Sequence, residues 1–187
     1  MTEPLRRHLV RGMSEIGWRE IVGLPDLGIA ALRAKIDTGA RTSALHAVDL
    51  EVYERSGVRW VEFHVPLPGE PQWKRCAARV IDERKIKNTS GVAESRYVVE
   101  TTLVLGQRHW RIELSLAARE KMEFDLILGR TAIRRRRLLV NPGRSFLAGP
   151  PYELPAIAHS SPDDGLMRTL KRGKAPAHDI SNKGNGQ

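Results

Sequence analysis

A strict alternation of apolar and polar side chains in the middle of the chain limits what it can fold into. Across residues 110–116 the apolar residues occupy every second position, which is the period of a strand with one buried face. The preceding segment, 97–105, is rich in Val, Thr and Leu, and Gly106-Gln107-Arg108 joins the two runs. We therefore predict a β-hairpin here.

Other parts of the chain repeat this pattern. Val61, Phe63 and Val65 alternate with polar residues, and Gly57 marks a turn from a preceding strand at 49–53. Further short strands are predicted at 18–23, 30–36, 76–81, 125–128 and 138–140. Many short strands with few helical periods favour an all-β fold that closes, or nearly closes, into a barrel.

The length of 187 residues suits one domain with a tail. Residues 1–15 lack periodicity and are predicted to be a flexible arm, and 16–150 form the domain. From about residue 150 the composition shifts to Pro, Gly, Ser, Asn and Lys, which cannot bury enough apolar surface to order itself. We predict that 151–187 are a disordered tail.

Charge and cysteine content bear on partners and compartment. The 31 Lys and Arg against 22 Asp and Glu give a formal charge of +9, which attracts polyanions or acidic peptides. One cysteine, Cys76, excludes an internal disulfide framework. No apolar run is long enough to span a bilayer, and no apolar segment follows the basic N-terminus. We expect a cytoplasmic protein with no membrane partner.

The candidate catalytic residue is Asp37, in the triplet Asp37-Thr38-Gly39 at the end of an alternating strand. Gly39 frees the backbone to turn and lets a substrate come close. An aspartic peptidase needs two neighbouring carboxylates that share a proton, yet the chain has one such triplet. A homodimer with Asp37 from each chain would supply the pair; in a monomer, Asp125 or Glu94 would have to assist.

Four segments together resemble a known family. They are Lys35-Ile36-Asp37-Thr38-Gly39-Ala40-Arg41-Thr42-Ser43-Ala44-Leu45, Ile86-Lys87-Asn88-Thr89-Ser90-Gly91-Val92-Ala93-Glu94-Ser95-Arg96-Tyr97-Val98, Leu116-Ala117-Ala118-Arg119-Glu120-Lys121-Met122-Glu123-Phe124 and Leu126-Ile127-Leu128-Gly129-Arg130-Thr131-Ala132-Ile133. Asp-Thr-Gly-Ala with a late apolar Gly-Arg segment resembles the retropepsins. The whole set is most similar to the bacterial ATP-dependent zinc protease family, retropepsin-like proteins that are associated with RimK-type glutamate ligases and include RimB.

The resemblance implies a retropepsin-like closed barrel with a short helix after the Leu128-Gly129-Arg130 segment. It also implies an aspartic-type peptidase that acts on acidic, glutamate-tailed protein termini, with a glutamate ligase as a partner. Asp37 would hold the water, Thr38 would brace the turn and Gly39 would form the backbone floor. Arg41 stands where viral retropepsins carry an acidic residue, which argues against a viral type of substrate.

Basic residues near the proposed groove agree with an acidic substrate, because guanidinium and ammonium groups bind carboxylates. The candidate substrate-binding residues are Arg41, Thr42, Ser43, Arg84, Lys87, Ser90 and Arg96. The small polar segment at 88–91 is a candidate flap between two strands, or else an ordinary exposed loop.

The family name implies zinc and ATP, but the sequence has neither a metal-ligand pattern nor a phosphate-binding motif. The six histidines show no metal-ligand spacing with Cys76, and no phosphate-binding glycine loop is present. We expect no cofactor and no metal site. The run Arg134-Arg135-Arg136-Arg137 could contact phosphates, but few aromatic residues lie beside it, so nucleic acid is the less favoured partner. The competing hypotheses are a catalytically silent module that binds an acidic tail or a ribosomal component, and a zinc-dependent hydrolase.

Overall fold

The described part of the chain folds mainly into strands. The structure is a computed structural model, and it describes residues 13–69, 71–87, 93–118, 123–154 and 168–169. The strands are β1 (Ser14–Gly17), β2 (Arg19–Leu24), β3 (Ile29–Asp37), β4 (Ser43–His46), β5 (Val48–Arg55), β6 (Val58–Val65), β7 (Lys74–Lys87), β8 (Ala93–Leu105), β9 (Arg108–Ala117), β10 (Leu126–Gly129), β11 (Leu138–Asn141) and β12 (Arg168–Thr169). A 3-10 helix covers Pro25–Leu27, and a four-residue α-helix, α1, covers Arg130–Ile133. The predicted all-β class is confirmed, and the short helix predicted after the Leu128-Gly129-Arg130 segment is present, beginning at Arg130.

The predicted hairpins are present. β8 and β9 pair antiparallel from Val98 opposite Ser115 to Leu105 opposite Arg108. Gly106 begins the turn with φ +55°, and a Cβ at this position would lie 2.4 Å from the carbonyl oxygen of Ala148. Glycine is required there for both reasons. β5 and β6 form the second predicted hairpin.

Six strands pair in a cycle. β8 pairs with β2, β2 with β3, β3 with β10, β10 with β4, β4 with β9, and β9 with β8 again. β7, β6 and β5 continue the sheet outward from β8. Each strand of the cycle therefore has a hydrogen-bonded neighbour on both sides.

β10 occupies a special place in this cycle, between the two strands that flank the Asp37 turn. It runs parallel to β3, with Gly129 opposite Asp37, and antiparallel to β4, with Ile127 opposite Ala44. All four of its residues are buried. A segment from late in the chain thus completes the sheet beneath the candidate catalytic turn.

The hydrophobic core lies between these strands and α1. Its largest fully buried apolar side chains are Phe63, Ile16, Leu24, Ile29, Leu45, Leu103, Leu114, Leu116, Leu126, Leu128 and Val22. Trp110 of β9 is buried and donates its Nε1–H to the carbonyl oxygen of Ala132 at 2.8 Å, which ties α1 to the sheet. α1 is therefore held at one end by its direct connection to β10 and along its length by the contact with Trp110 of β9.

The first and last parts of the domain are joined. β1 pairs parallel with β11, with Ser14 opposite Leu138, so the strand includes two residues that we assigned to the arm. The fully buried carboxylate of Glu20 accepts hydrogen bonds from the N–H groups of Gly17, Leu147 and Ala148. The end of β1 and the segment at 146–148 are thus held against β2.

Part of the predicted tail is also described. Tyr152 donates its backbone N–H to the carbonyl oxygen of Gly106 at 3.1 Å, and β12 pairs antiparallel with β5. That the tail as a whole is disordered stays a prediction. Residues 1–12, 155–167 and 170–187 lie outside the described residues.

A search of the described residues for a helix long and apolar enough to cross a membrane finds none.

Candidate active site

Asp37 is the last residue of β3 and begins a tight turn. Its Oδ1 accepts hydrogen bonds from the backbone N–H groups of Gly39 and Ala40, each at 3.0 Å. Two donors on one oxygen fix the orientation of the carboxylate. The side chain is partly exposed, and within the described residues no side chain donates a hydrogen bond to Oδ2. This oxygen is therefore available to a water molecule or a substrate.

The start of α1 holds the turn from the other side. Arg130 donates Nη1–H to the carbonyl oxygens of Thr38 and Gly39, both at 2.9 Å. The backbone N–H of Arg130 donates to the carbonyl oxygen of Ala40, and the backbone N–H of Thr131 donates to the carbonyl oxygen of Arg41. Four consecutive carbonyl groups, 38–41, are satisfied by two residues of one helix, which makes the turn rigid.

Ser43, at the start of β4, supports the turn from behind. It is fully buried; its Oγ accepts the N–H of Gly129 at 3.2 Å, and its carbonyl accepts the hydroxyl of Ser115 at 2.9 Å. Thr42, which is half-buried, lies directly against Gly129. The hydroxyl of Ser43 is therefore engaged by the backbone of β10.

A pocket of about 560 Å³ opens beside the Asp37 turn. Its lining residues are Thr38, Arg41, Arg130, Thr131, Ile133, Arg134, Leu138 and Val140. Its volume lies within the range typical of ligand sites. The lining combines three arginines with apolar residues, and it includes Thr38, which directly follows Asp37.

Two other candidate substrate residues, Arg84 and Arg96, lie on the paired strands β7 and β8. Arg84 contacts Asp82 at 2.5 Å and Glu113 at 2.7 Å, and these partners raise the pKa of the guanidinium. Arg96 is bound to Glu94 at 3.0 Å through both Nε and Nη2. The charges of both arginines are thus already partnered within the chain.

The remaining candidates lie at the end of that hairpin. β7 and β8 pair through to Lys87 opposite Ala93. The side chain of Lys87, Ser90 and the flap candidate at 88–91 lie outside the described residues, so their role in substrate binding stays a prediction.

A second carboxylate from the same chain would have to come from elsewhere in the sheet. Asp125 precedes β10, four residues from Gly129, which corresponds to about 13 Å along a strand. Burial raises the pKa of Asp125 above its ordinary value, although the charges of His46 and Arg33 act in the opposite direction. Asp125 therefore lies at the far end of β10 from Asp37.

Neither a metal site nor a reactive thiol is found in the described part of the chain. No group of three or more His, Cys, Asp or Glu side chains within it could hold a metal ion. Cys76 is buried, and this burial, opposed by the charge of Lys74, raises its pKa to about 12. A thiol of this kind stays protonated and unreactive near neutral pH.

Sequence reasoning did not place Arg130 and Arg134 at this pocket. It assigned no contact to Arg130 of the Gly-Arg segment, and it considered Arg134 only as part of a basic run that could contact phosphates. The ion pairs of Arg84 and Arg96 could have been predicted from the sequence. Asp82 and Glu94 stand two residues before these arginines, and residues at i and i+2 of a strand share a face.

An all-β fold in which a late strand lies between the two strands flanking an Asp-Thr-Gly turn is consistent with the retropepsin-like class. The chain belongs to the RimB-like family, described as retropepsin-like aspartic endopeptidase RimB, whose model matches residues 15–151.

Curated relatives are much longer than this chain. A Desulfotalea psychrophila protein named "Probable alpha-L-glutamate ligase" is 44% identical over 136 residues, which are 72% of this chain and 29% of that protein. A Shewanella pealeana protein of the same name is 39% identical over 72% of this chain and 30% of its own length. The chain therefore spans less than a third of these relatives.

A solved structure agrees with the fold. The crystal structure of a Legionella pneumophila protein of unknown function matches with a TM-score of 0.63 and 29% identity, covering 72% of this chain and 98% of that one. The match extends over nearly the whole of the neighbour.

Proposed function

We propose that this protein is an aspartic-type peptidase in which Asp37 activates water to cleave acidic or glutamate-tailed proteins or peptides. The observation that carries the proposal is the Asp37 carboxylate, with one oxygen fixed by the N–H groups of Gly39 and Ala40 and the other available at the surface. Membership of the RimB-like family supports the same activity.

The mechanism needs two carboxyl groups that share one proton. The ionised carboxylate takes a proton from water as the oxygen attacks the scissile carbonyl carbon, and the protonated one donates its proton to the carbonyl oxygen. As the tetrahedral intermediate collapses, one of its hydroxyl groups returns a proton to the second carboxylate, the C–N bond breaks, and the amine leaves with a proton from the first carboxyl group. The main-chain donors and Arg130 contribute by keeping Asp37 in one orientation.

We infer that the second carboxyl group is Asp37 of a second copy. Asp125 lies about 13 Å away along β10, and Glu94 is already bound to Arg96. The Asp37 turn is exposed at Thr38 and Gly39, which allows two turns to approach across a two-fold axis. We also infer that the six-strand cycle closes a barrel, as in retropepsins.

The preference for acidic substrates is supported by the arginines beside the turn and by the net charge of the chain. The name of the relatives supports a link to glutamate ligation, because a ligase that adds glutamate makes products rich in carboxylates. We propose that a glutamate ligase is a functional partner, acting in the direction opposite to this peptidase.

The test is replacement of Asp37 by Asn. The substitution keeps the shape of the side chain and removes the general base, so cleavage of a glutamate-tailed peptide should fall at least about a hundredfold. Mass spectrometry of the products measures the loss, and circular dichroism checks the fold. Asp49→Asn is the matched control because Asp49 is an exposed aspartate in β5, and it should keep full activity.

Full activity in Asp37→Asn would refute the peptidase proposal. The second candidate function, a catalytically silent module that binds an acidic tail or a ribosomal component, is favoured by the same basic pocket. It predicts salt-sensitive binding without any cleavage by the wild-type protein. A zinc hydrolase is tested by metal analysis and by chelation, since loss of activity on chelation would support zinc.

A further inference from the structure

Two arginines of the pocket differ from the other arginines near the proposed groove. Arg84 and Arg96 are neutralised by carboxylates of the chain, and Arg130 is bound to the carbonyls of Thr38 and Gly39. In the described ranges, the guanidinium groups of Arg41 and Arg134 have no such ion pair or hydrogen bond. Of these five arginines, Arg41 and Arg134 therefore carry the charge that a ligand in the pocket can use.

The pocket lining also includes apolar residues. They are Ile133 of α1 and Leu138 and Val140 of β11. A ligand that matches both the arginines and the apolar residues has a short aliphatic stem ending in an anion. The stem packs against the apolar residues, and the anion accepts hydrogen bonds from guanidinium groups in the planar geometry that favours carboxylates.

From this arrangement we propose that the pocket is a specificity subsite for one glutamate side chain of the substrate, with Arg134 as the residue that selects its carboxylate and Arg41 as its neighbour. The inference rests on the proposed function, since it takes the substrate to be an acidic peptide. It assigns a selective role to one member of the arginine run, whereas charge alone would make the four arginines equivalent.

Position separates Arg134 from the rest of that run. Arg134 follows α1 directly and lines the pocket, whereas Arg135 and Arg137 do not. Arg136 is stacked over the ring of Trp110 at 5.4 Å. Arg135 is exposed and one residue away, so it provides the same loss of charge outside the pocket.

The test measures binding rather than cleavage, in full-length protein carrying Asp37→Asn so that peptides are not consumed. Fluorescence anisotropy compares a labelled peptide ending in glutamates with variants in which each glutamate in turn is glutamine. Arg134→Gln should weaken binding of the all-glutamate peptide about tenfold. The loss should disappear for the one peptide whose contacted glutamate is already glutamine, because the two changes remove the same interaction.

Arg135→Gln is the control and should weaken all peptides slightly and equally, with an effect that salt removes. Equal effects of the two substitutions at every peptide position would overturn the proposal. So would an RNA oligonucleotide whose binding depends on Arg134 while peptide binding does not. Because the readout is binding, coupling at one position supports the subsite even if Asp37→Asn retains cleavage activity, an outcome that would refute only the proposed function.

Discussion

Gly129 shows how closely the catalytic turn is packed against β10. A Cβ at this position would lie 2.5 Å from the carbonyl oxygen of Thr42 and 2.6 Å from its carbonyl carbon. Both atoms belong to the backbone of the turn, so neither can move aside as a flexible side chain would. The approach of β10 to the Asp37 turn therefore requires glycine.

Gly129→Ala should destabilise the protein by about 1–3 kcal/mol, because the added methyl group forces the turn away from β10. Urea denaturation measures this loss. Activity should fall further than stability explains, since the displaced turn carries Asp37. Gly143→Ala is the control, because its Cβ would have its nearest contact at 3.5 Å; equal stability of the two variants would contradict the packing argument.

Residue by residue, the sequence predicted where Asp37 lies better than it predicted the surroundings of the arginines. Asp37 follows an alternating strand, and its position at a turn depends only on local pattern. Which arginines are paired depends on contacts across strands, such as that between Arg84 and Glu113. Arg134 is next to the site only because α1 and β11 meet there, and charge pattern contains no such information.

Among the elements, the 3-10 helix after β2 is tied to the sheet by one carboxylate. Asp26 accepts hydrogen bonds from the N–H and hydroxyl of Thr102 in β8 and from Arg111 in β9. Burial by itself would raise the pKa of Asp26, but the hydrogen bonds from Thr102 and the charge of Arg111 outweigh it and lower the pKa below 3.8. The ionised form is thus the one that joins the helix to the hairpin.

Asp26→Asn should lower the free energy of unfolding by about 1–2 kcal/mol near neutral pH. A carboxylate with a lowered pKa stabilises the fold fully above its unfolded pKa and loses that effect as the pH falls through the folded value. The difference from wild type should therefore shrink below about pH 4, the ordinary range for aspartate. Denaturation from pH 3 to 7 measures it, with exposed Glu51→Gln as control; a difference that is constant with pH would contradict the assignment.

Element prediction found the strands that alternate between apolar and polar residues and the short apolar run of β10, but it missed β4. β9 alternates between buried and exposed residues along most of its length, and its period was visible in the sequence. β4 was not predicted, because its sequence, Ser-Ala-Leu-His, is neither a clear alternation nor an apolar run. β1 was partly assigned to the arm, because its partner β11 lies more than a hundred residues away.

At the scale of the whole molecule, the site proposed for one chain is incomplete. Asp37 lies at the surface, and Asp125 is at the other end of β10. If the peptidase uses Asp37 of two chains, as we propose, activity and association should be linked.

Specific activity should fall on dilution, because separated chains each hold one carboxylate. An excess of Asp37→Asn chains should inhibit the wild-type protein by forming mixed pairs. Sedimentation velocity at the assay concentrations measures association directly. A monomer whose activity does not change with concentration would refute the shared site and would direct attention to Glu94 or Asp125.

The carboxylate of Glu20 also has a consequence for how this unit can recur within longer proteins. It is fully buried and accepts hydrogen bonds from the backbone N–H groups of Leu147 and Ala148. A copy that ended before Leu147 would leave this buried carboxyl group with Gly17 alone of these three donors. Any fusion, excision or exchange of this unit therefore has to preserve the chain from β1 through Ala148, and the family match over residues 15–151 has almost the same limits.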